Sequence, residues 1–193
     1  MARSKEFEVN EVLDKAMKIF WEQGYEKTSM SDLVEHMGIH RRSIYDTFDD
    51  KHSLFLQAID RYRGKVSATL LAEIRASKTA VEALHKIFDV MISEAEETPS
   101  GCLIVNSAVE LGARDEEVDN RSLESFNDTE LMFEQIIQWG QRDGEFASDH
   151  DAKEMAEYLH NISVGIRAMA RTSTDKEKLN RIINVSMKLL EKR

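Results

Sequence analysis

An all-α fold is the expectation for this 193-residue chain, and three observations lead to it. Apolar residues recur at helical spacing along nearly the whole length, with no stretch of the strict alternation that marks a half-buried strand. One proline and eight glycines leave too little punctuation for a β-rich fold. Two short amphipathic stretches also meet at Gly38 in the order of a helix-turn-helix.

Taken in order, residues 8–23 place Val9, Val12, Leu13, Ala16, Ile19 and Phe20 on one stripe, an amphipathic helix ended by Gly24 and Tyr25. Residues 29–37 repeat that spacing with Met30, Leu33, Val34 and Met37, and Ser29 with Asp32 has the form of a capping box. Gly38 stands where the helix must end and the backbone turn left-handed. Ile39 then plugs inward, and a second short helix over 40–47 puts Ile44 and Phe48 on one face.

Arg41, Arg42, Ser43, Asp46 and Thr47 are spread over its other sides, and a helix so placed can lie in the DNA major groove. Arg41 and Arg42 open it, where side chains reach base edges or phosphates. Tyr45, one turn on, adds a ring for packing and a hydroxyl able to meet a phosphate. Lys51 begins the next helix, over 51–63, beside Asp49 and Asp50, which suit its N-terminal dipole. That helix buries Leu54, Phe55, Ala58, Ile59 and Tyr62. The bare spacing is shared by many buried helical hairpins; the side chains it carries are what point to nucleic acid.

The order Thr28-Ser-Met, Asp32-Leu-Val, Met37-Gly-Ile, Ser43-Ile-Tyr, Phe48 and Lys51-His-Ser-Leu-Phe closely resembles the DNA-binding domain of TetR/AcrR-family transcriptional regulators, without a gap from about residue 8 to residue 55. The resemblance implies a DNA-binding domain over 6–66, its helix-turn-helix at about 29–48, and an effector-binding and dimerisation domain over 67–193. It implies DNA contacts from Thr28, Ser29, His40, Arg41, Arg42, Ser43, Tyr45, Thr47 and Lys51. In the family the residue at Thr28 or its neighbour tends to touch a phosphate, beside any capping role. The implied function is that of a homodimeric repressor, bound to a palindromic double-stranded operator and released by a small apolar effector. Arg42 departs from the pattern, since a small residue is common there; it adds charge near the DNA and stands against the usual close backbone approach.

The net charge of −10 argues at first against nucleic acid, but its distribution answers the objection. Residues 1–65 carry 11 Lys+Arg against 12 Asp+Glu, so that part is nearly neutral and the acidity is loaded downstream. Arg3 and Lys5 add a basic N-terminal arm to the face expected to meet DNA. Few phosphate contacts predict weak non-specific binding and a shallow salt slope. No apolar run is long enough to cross a bilayer and the charged N-terminus has no signal-peptide core, so a cytoplasmic protein is expected. The single cysteine excludes an intramolecular disulfide framework and a Cys-only metal site.

Downstream, helices are expected over 66–76, 80–96, 102–111, 116–142, 151–172 and 175–192, with no repeat and no low-complexity run. The last two are joined by a very short turn and should be antiparallel neighbours. By the resemblance they pair with their copies in a four-helix dimer interface, through Leu159, Ile162, Ile166, Met169, Ile182, Val185 and Leu189. Ser163, Gly165 and Ala168 would permit close helix contact, although an ordinary intramolecular core also accounts for most of these residues. The stretch 101–111 is apolar almost all round, so its helix is expected to be buried. Its Gly-Cys-x-x-x-Asn start resembles a family subset in which this helix borders the effector cavity. Cys102 and Asn106 are one turn apart on it, and the Asn amide needs backbone, water or a ligand as partner. Phe88, Met91, Met132, Phe133, Ile136, Trp139 and His160 complete the candidate wall of a mostly apolar pocket with few polar anchors. Cys102 is either a sensor thiol or, in an apolar setting, an inert one.

One alternative from another class is a di-metal carboxylate enzyme in a helical bundle. Two Glu-x-x-His pairs, Glu82/His85 and Glu157/His160, have the spacing used there, with Glu110 and Glu134 as the extra ligands. Glutamate is abundant enough for such spacings to arise by chance, and no phosphate-binding glycine loop, nucleophile elbow or HExxH motif is present. A purely structural helical adaptor would leave the surface from Arg41 to Lys51 unexplained. The expectation is a regulator rather than an enzyme, with no cofactor and no metal.

Overall fold

A computed structural model describes residues 8–92, 99–172 and 174–190. Among them are nine helices and no strand: α1 (Val9–Gln23), α2 (Met30–Met37), α3 (Arg41–Phe48), α4 (Lys51–Ala76), α5 (Ala80–Ile92), α6 (Leu103–Leu111), α7 (Glu116–Arg142), α8 (Ala152–Ala170) and α9 (Lys176–Lys188). Arg3 and Lys5, and the last turns expected for the helices over 80–96 and 175–192, lie outside the described residues.

Local chemistry sets the ends of the first helices. The Ser29 hydroxyl accepts from Asp32 N at 3.1 Å while the Asp32 carboxylate accepts from Ser29 N at 2.8 Å, which satisfies two otherwise orphaned donors of α2. Gly38 ends α2 at φ 70° and ψ 27°, a conformation that costs a side-chain-bearing residue steric strain. Ile44 and Phe48 of α3 are fully buried against the packed faces of α1, α2 and α4, so the small head has one defined setting for α3. Phe20 and Phe55 meet edge to face at 4.9 Å between ring centroids in the middle of that core.

The expected boundary near residues 64–66 falls inside a single helix. Gly64 is exposed, with open space where a Cβ would point, and α4 runs through it. One interior glycine weakens a helix by only about 1 kcal/mol, and tertiary anchors on both sides outweigh that. Arg61 grips Asp14 with two hydrogen bonds of 2.9 and 3.0 Å, and Lys65 adds a third contact at 2.8 Å. These bonds, led by that from Arg61, hold the Asp14 carboxyl below its usual range against the opposing effect of burial. On the far side of Gly64, Leu70 is buried in the downstream core.

Packing also divides the chain differently from its linear order. The core of the head takes in Cys102, Leu103, Ile104, Val105 and Leu111 from the stretch 102–111, together with Val118 of α7. The second core is built from Leu70, α5, α7, α8 and α9, with Phe88, Phe133, Ile137, Leu159 and Ile166 among its buried members. Helix α6 is thus a wedge between the two.

Candidate functional site

Helix α3 offers its polar face to solvent. Arg41, Arg42 and Tyr45 are exposed, Ser43 and Thr47 are half-buried beside them, and His40 is an exposed N-cap whose ring makes no capping bond. The Arg41 guanidinium lies 5.8 Å from the centre of the Tyr45 ring, and its Nη2 approaches the Tyr45 hydroxyl at 3.4 Å. Arg42 pairs with Asp46 one turn on at 3.6 Å; both are largely exposed, so the pair is weak and its cation remains available to an anion. Lys51 sits at the start of α4 with its ammonium 4.2 Å from the centre of the Tyr25 ring, and burial lowers its pKa against the pull of Glu26, Glu110 and Asp32. Ser29 is exposed at the start of α2.

Thr28 requires a correction. It is fully buried, and its hydroxyl donates to the Gly24 carbonyl at 2.6 Å. A side chain tied inward in this way closes the turn between α1 and α2 and is not offered to a phosphate.

A cavity of about 440 Å³ opens between α4, α7 and α8, with Met91 and the start of α6 closing it. Of the candidate wall, Met91, Cys102, Met132, Ile136, Trp139 and His160 line it. Phe88, Asn106 and Phe133 lie outside the lining: the two phenylalanines stack on one another at 5.8 Å in the second core, and the Asn106 amide nitrogen is buried without a hydrogen-bond partner among the described residues. Sequence reasoning missed Tyr62, Val66, Leu70, Phe126, Val164 and Arg167, which line the same space. His160 Nδ1 is 2.8 Å from Glu130, and Arg167 donates to the Tyr62 hydroxyl at 3.2 Å.

The elements that wall the cavity also hold the head. Helix α6 begins at the cavity with Cys102, Ile104 and Val105 and ends at Glu110, whose carboxylate accepts from Tyr25 N at 3.0 Å and Glu26 N at 2.9 Å. Gly24 suits the turn beside it: at φ 85° a side-chain-bearing residue would be strained, and a Cβ 2.7 Å from Glu110 Oε2 would push that carboxylate out of its place. Helix α8 carries His160 and Arg167 in the wall, and just beyond its end Arg171 donates to the carbonyls of Trp21 and Glu22 at 2.9 and 3.2 Å, closing the C-terminus of α1. A third tie runs from His52 of α4 to Asp115, the N-cap of α7, at 2.7 Å. Burial opposes ionisation of Asp115, yet the backbone N–H of Val118 and the His52 ring hold its carboxyl below the usual range. Glu110→Ala is expected to lower stability by about 1–3 kcal/mol, because two backbone donors lose a charged acceptor. Urea unfolding at fixed protein concentration measures this, and a shift near zero would show that solvent replaces the carboxylate without loss.

The outward face of α8 and α9 is apolar. Val185 and Leu189 are exposed at 61% and 46%, and with half-buried Ile162 and Ile182 they form a shallow strip. Leu159 and Ile166, expected on this face, are instead fully packed inside the chain's own second core, and half-buried Met169 packs against that core from its edge.

The ligands of the metal-enzyme alternative do not converge. Glu82 binds Lys78 N and Lys86, Glu134 accepts from Gln138, Glu157 is exposed, and Glu110 faces the head. Among the described residues no three His, Cys, Asp or Glu side chains are grouped to hold a metal ion.

Comparison with known proteins agrees with this geometry. Residues 12–58 match the family described as bacterial regulatory proteins, tetR family, and residues 80–185 match the tetracyclin repressor-like C-terminal domain. The chain is 31% identical over 194 residues to the uncharacterized HTH-type transcriptional regulator YezE of Bacillus subtilis, covering 99% of this chain and all of that protein. It is 31% identical over 190 residues to the HTH-type transcriptional repressor ComR of Escherichia coli, covering 97% and 90% of the two chains. Among solved structures, a cysteine mutant of the TetR family transcriptional regulator CifR, complexed with a 26 bp double-strand operator DNA, superposes with a TM-score of 0.88 at 25% identity, covering 98% and 100% of the two chains. The exposed polar face of α3, the buried anchors that aim it and the two matched domains together place this chain in the TetR family of transcriptional regulators.

Proposed function

We propose that two copies of the chain join through the outward strip of α8 and α9 and lay α3 of each copy into a major groove of a palindromic operator. The observation that carries this reading is the division of α3 between buried Ile44 and Phe48 and the outward set of exposed His40, Arg41, Arg42 and Tyr45 with half-buried Ser43 and Thr47. Ser29 and Lys51, at the starts of α2 and α4, flank that face and are assigned to phosphates. The bound dimer represses transcription, a reading supported by the ComR relative, which is named a transcriptional repressor, and by the CifR structure, which is bound to operator DNA. It acts in the cytoplasm and is assigned no catalytic step; no described helix is long and apolar enough to cross a membrane.

Release follows when a small, largely apolar molecule fills the cavity. Its walls belong to α4, α6 and α8, which grip the head through Arg61, Glu110 and the Arg171 that follows α8. A ligand that favours one setting of those helices changes the spacing of the two heads, and DNA must weaken ligand binding by the same factor.

Anisotropy titration of labelled DNA flanking the chain's own gene, at several salt concentrations, tests the reading. Saturable, sequence-selective binding by a dimer with a shallow salt slope is expected. Equal affinity for that DNA and a scrambled duplex at every salt concentration would count against it.

A further inference from the structure

Of the basic side chains that line the cavity, all but one have a carboxylate partner among the described residues. Arg63 at its rim is held by Glu124 at 2.7 Å and by Asp128. His160 has Glu130. Arg167 has the Tyr62 hydroxyl and the Cys102 thiol beside it, and no carboxylate among the described residues lies within 4.0 Å of its guanidinium. Tyr62 does not supply the missing charge, since burial pushes its phenol well above the usual range and keeps it neutral. A half-buried cation without a carboxylate partner is costly, and the phenol and the thiol leave part of the guanidinium's planar five-donor fork unoccupied.

From this imbalance we infer that the effector is an amphipathic organic monoanion, whose carboxylate binds Arg167 and the Tyr62 hydroxyl while its hydrocarbon or aromatic body lies against Val66, Leu70, Phe126 and Met132. This deepens, and rests on, the reading of the cavity as the effector site. Planar carboxylate matches the guanidinium fork in a bidentate pair. One unbalanced cation calls for one negative charge, so a monoanion fits better than a phosphate ester carrying two. The remaining wall is mostly apolar, and about 440 Å³ suits a drug-sized body.

The position also explains how such a ligand is felt at the DNA. Tyr62 belongs to α4 and packs its ring edge-on against Trp21 of α1 at 4.8 Å. Arg167 lies one helical turn before Arg171, which holds the carbonyls of Trp21 and Glu22. A carboxylate that re-orients the Arg167–Tyr62 pair therefore acts on both attachments of α1.

The test uses the full-length protein with decanoate and its neutral counterpart methyl decanoate, followed by calorimetry, by fluorescence of Trp21 and Trp139, and by anisotropy titration of operator DNA with and without each compound. Wild type is expected to prefer decanoate by about 10- to 100-fold, and Arg167→Met to lose that preference while still binding the ester. Retained ester binding shows that the variant's cavity is intact. Equal affinity of wild type for both compounds, or an undiminished preference in Arg167→Met, overturns the carboxylate assignment and leaves the cavity as an effector site. Arg167-dependent decanoate binding without any change in operator affinity upholds the carboxylate site and overturns its effector role. Failure of both compounds to bind overturns the inference outright.

Discussion

The Arg41→Ala/Tyr45→Ala double variant is expected to lose operator affinity by about two orders of magnitude while keeping the fold and the dimer. Both side chains are exposed on α3, and neither is needed to hold it in place. Substitutions at such positions usually change stability by no more than about 0.5 kcal/mol. Their contribution belongs to the DNA complex, where a well-placed arginine or tyrosine adds about 1–3 kcal/mol of base or phosphate recognition. The two touch at 3.4 Å, so the single variants should not sum to the double. Anisotropy titration gives the affinity, and circular dichroism with gel filtration gives fold and assembly. Undiminished selective binding would show that the exposed face of α3 is not the reading surface.

Phe48→Ala is expected to act in the opposite way, lowering stability by about 3–5 kcal/mol. Phe48 is fully buried at the end of α3 and, with Ile44, attaches that helix to the head. Truncation leaves a cavity under an eight-residue helix with little other means of support. Total stabilities of about 5–15 kcal/mol make such a loss a large fraction of the whole. Urea unfolding at one protein concentration measures it, since a dimer's apparent stability depends on concentration. Phe48→Leu should recover most of the loss. A change below about 1 kcal/mol for the alanine variant would show that the site collapses and that Phe48 does not set the angle of α3.

These contrasting outcomes follow from the same short stretch, and most of it could be read from the residues in order. The capping box of Ser29 and Asp32, the left-handed Gly38 and the pair Ile44 and Phe48 are local features, governed by contacts within a few residues along the chain. Helices α6 and α7 also appear close to their expected limits, because helical periodicity and capping residues act over the same short range. Thr28 marks the limit of that reasoning. A threonine before a helix has the chemistry of a cap or of a phosphate contact, and the bond to Gly24 O arises only from the way the preceding turn folds back.

The cavity was less legible for a geometric reason. Successive residues on a helix point about 100° apart, so Met132 can face the cavity while its neighbour Phe133 faces the second core, and Val105 can line it while Asn106 does not. Amphipathicity shows that a face is buried but not what lies opposite. Nothing in the local spacing singles out Arg167 or Arg171, and Glu110 has only the spacing of a nominal metal ligand. By itself the sequence determined an all-helical chain, the reading head with its exposed Arg41 and Tyr45, and an apolar downstream half, because each depends on local spacing and on side-chain chemistry. Tertiary structure alone decided that α4 runs unbroken through Gly64, that α6 wedges into the head with Glu110 at its tip, and that Arg167 stands without a carboxylate in the cavity wall. Those outcomes turn on which distant surfaces meet, a property that the order of residues along one helix does not contain.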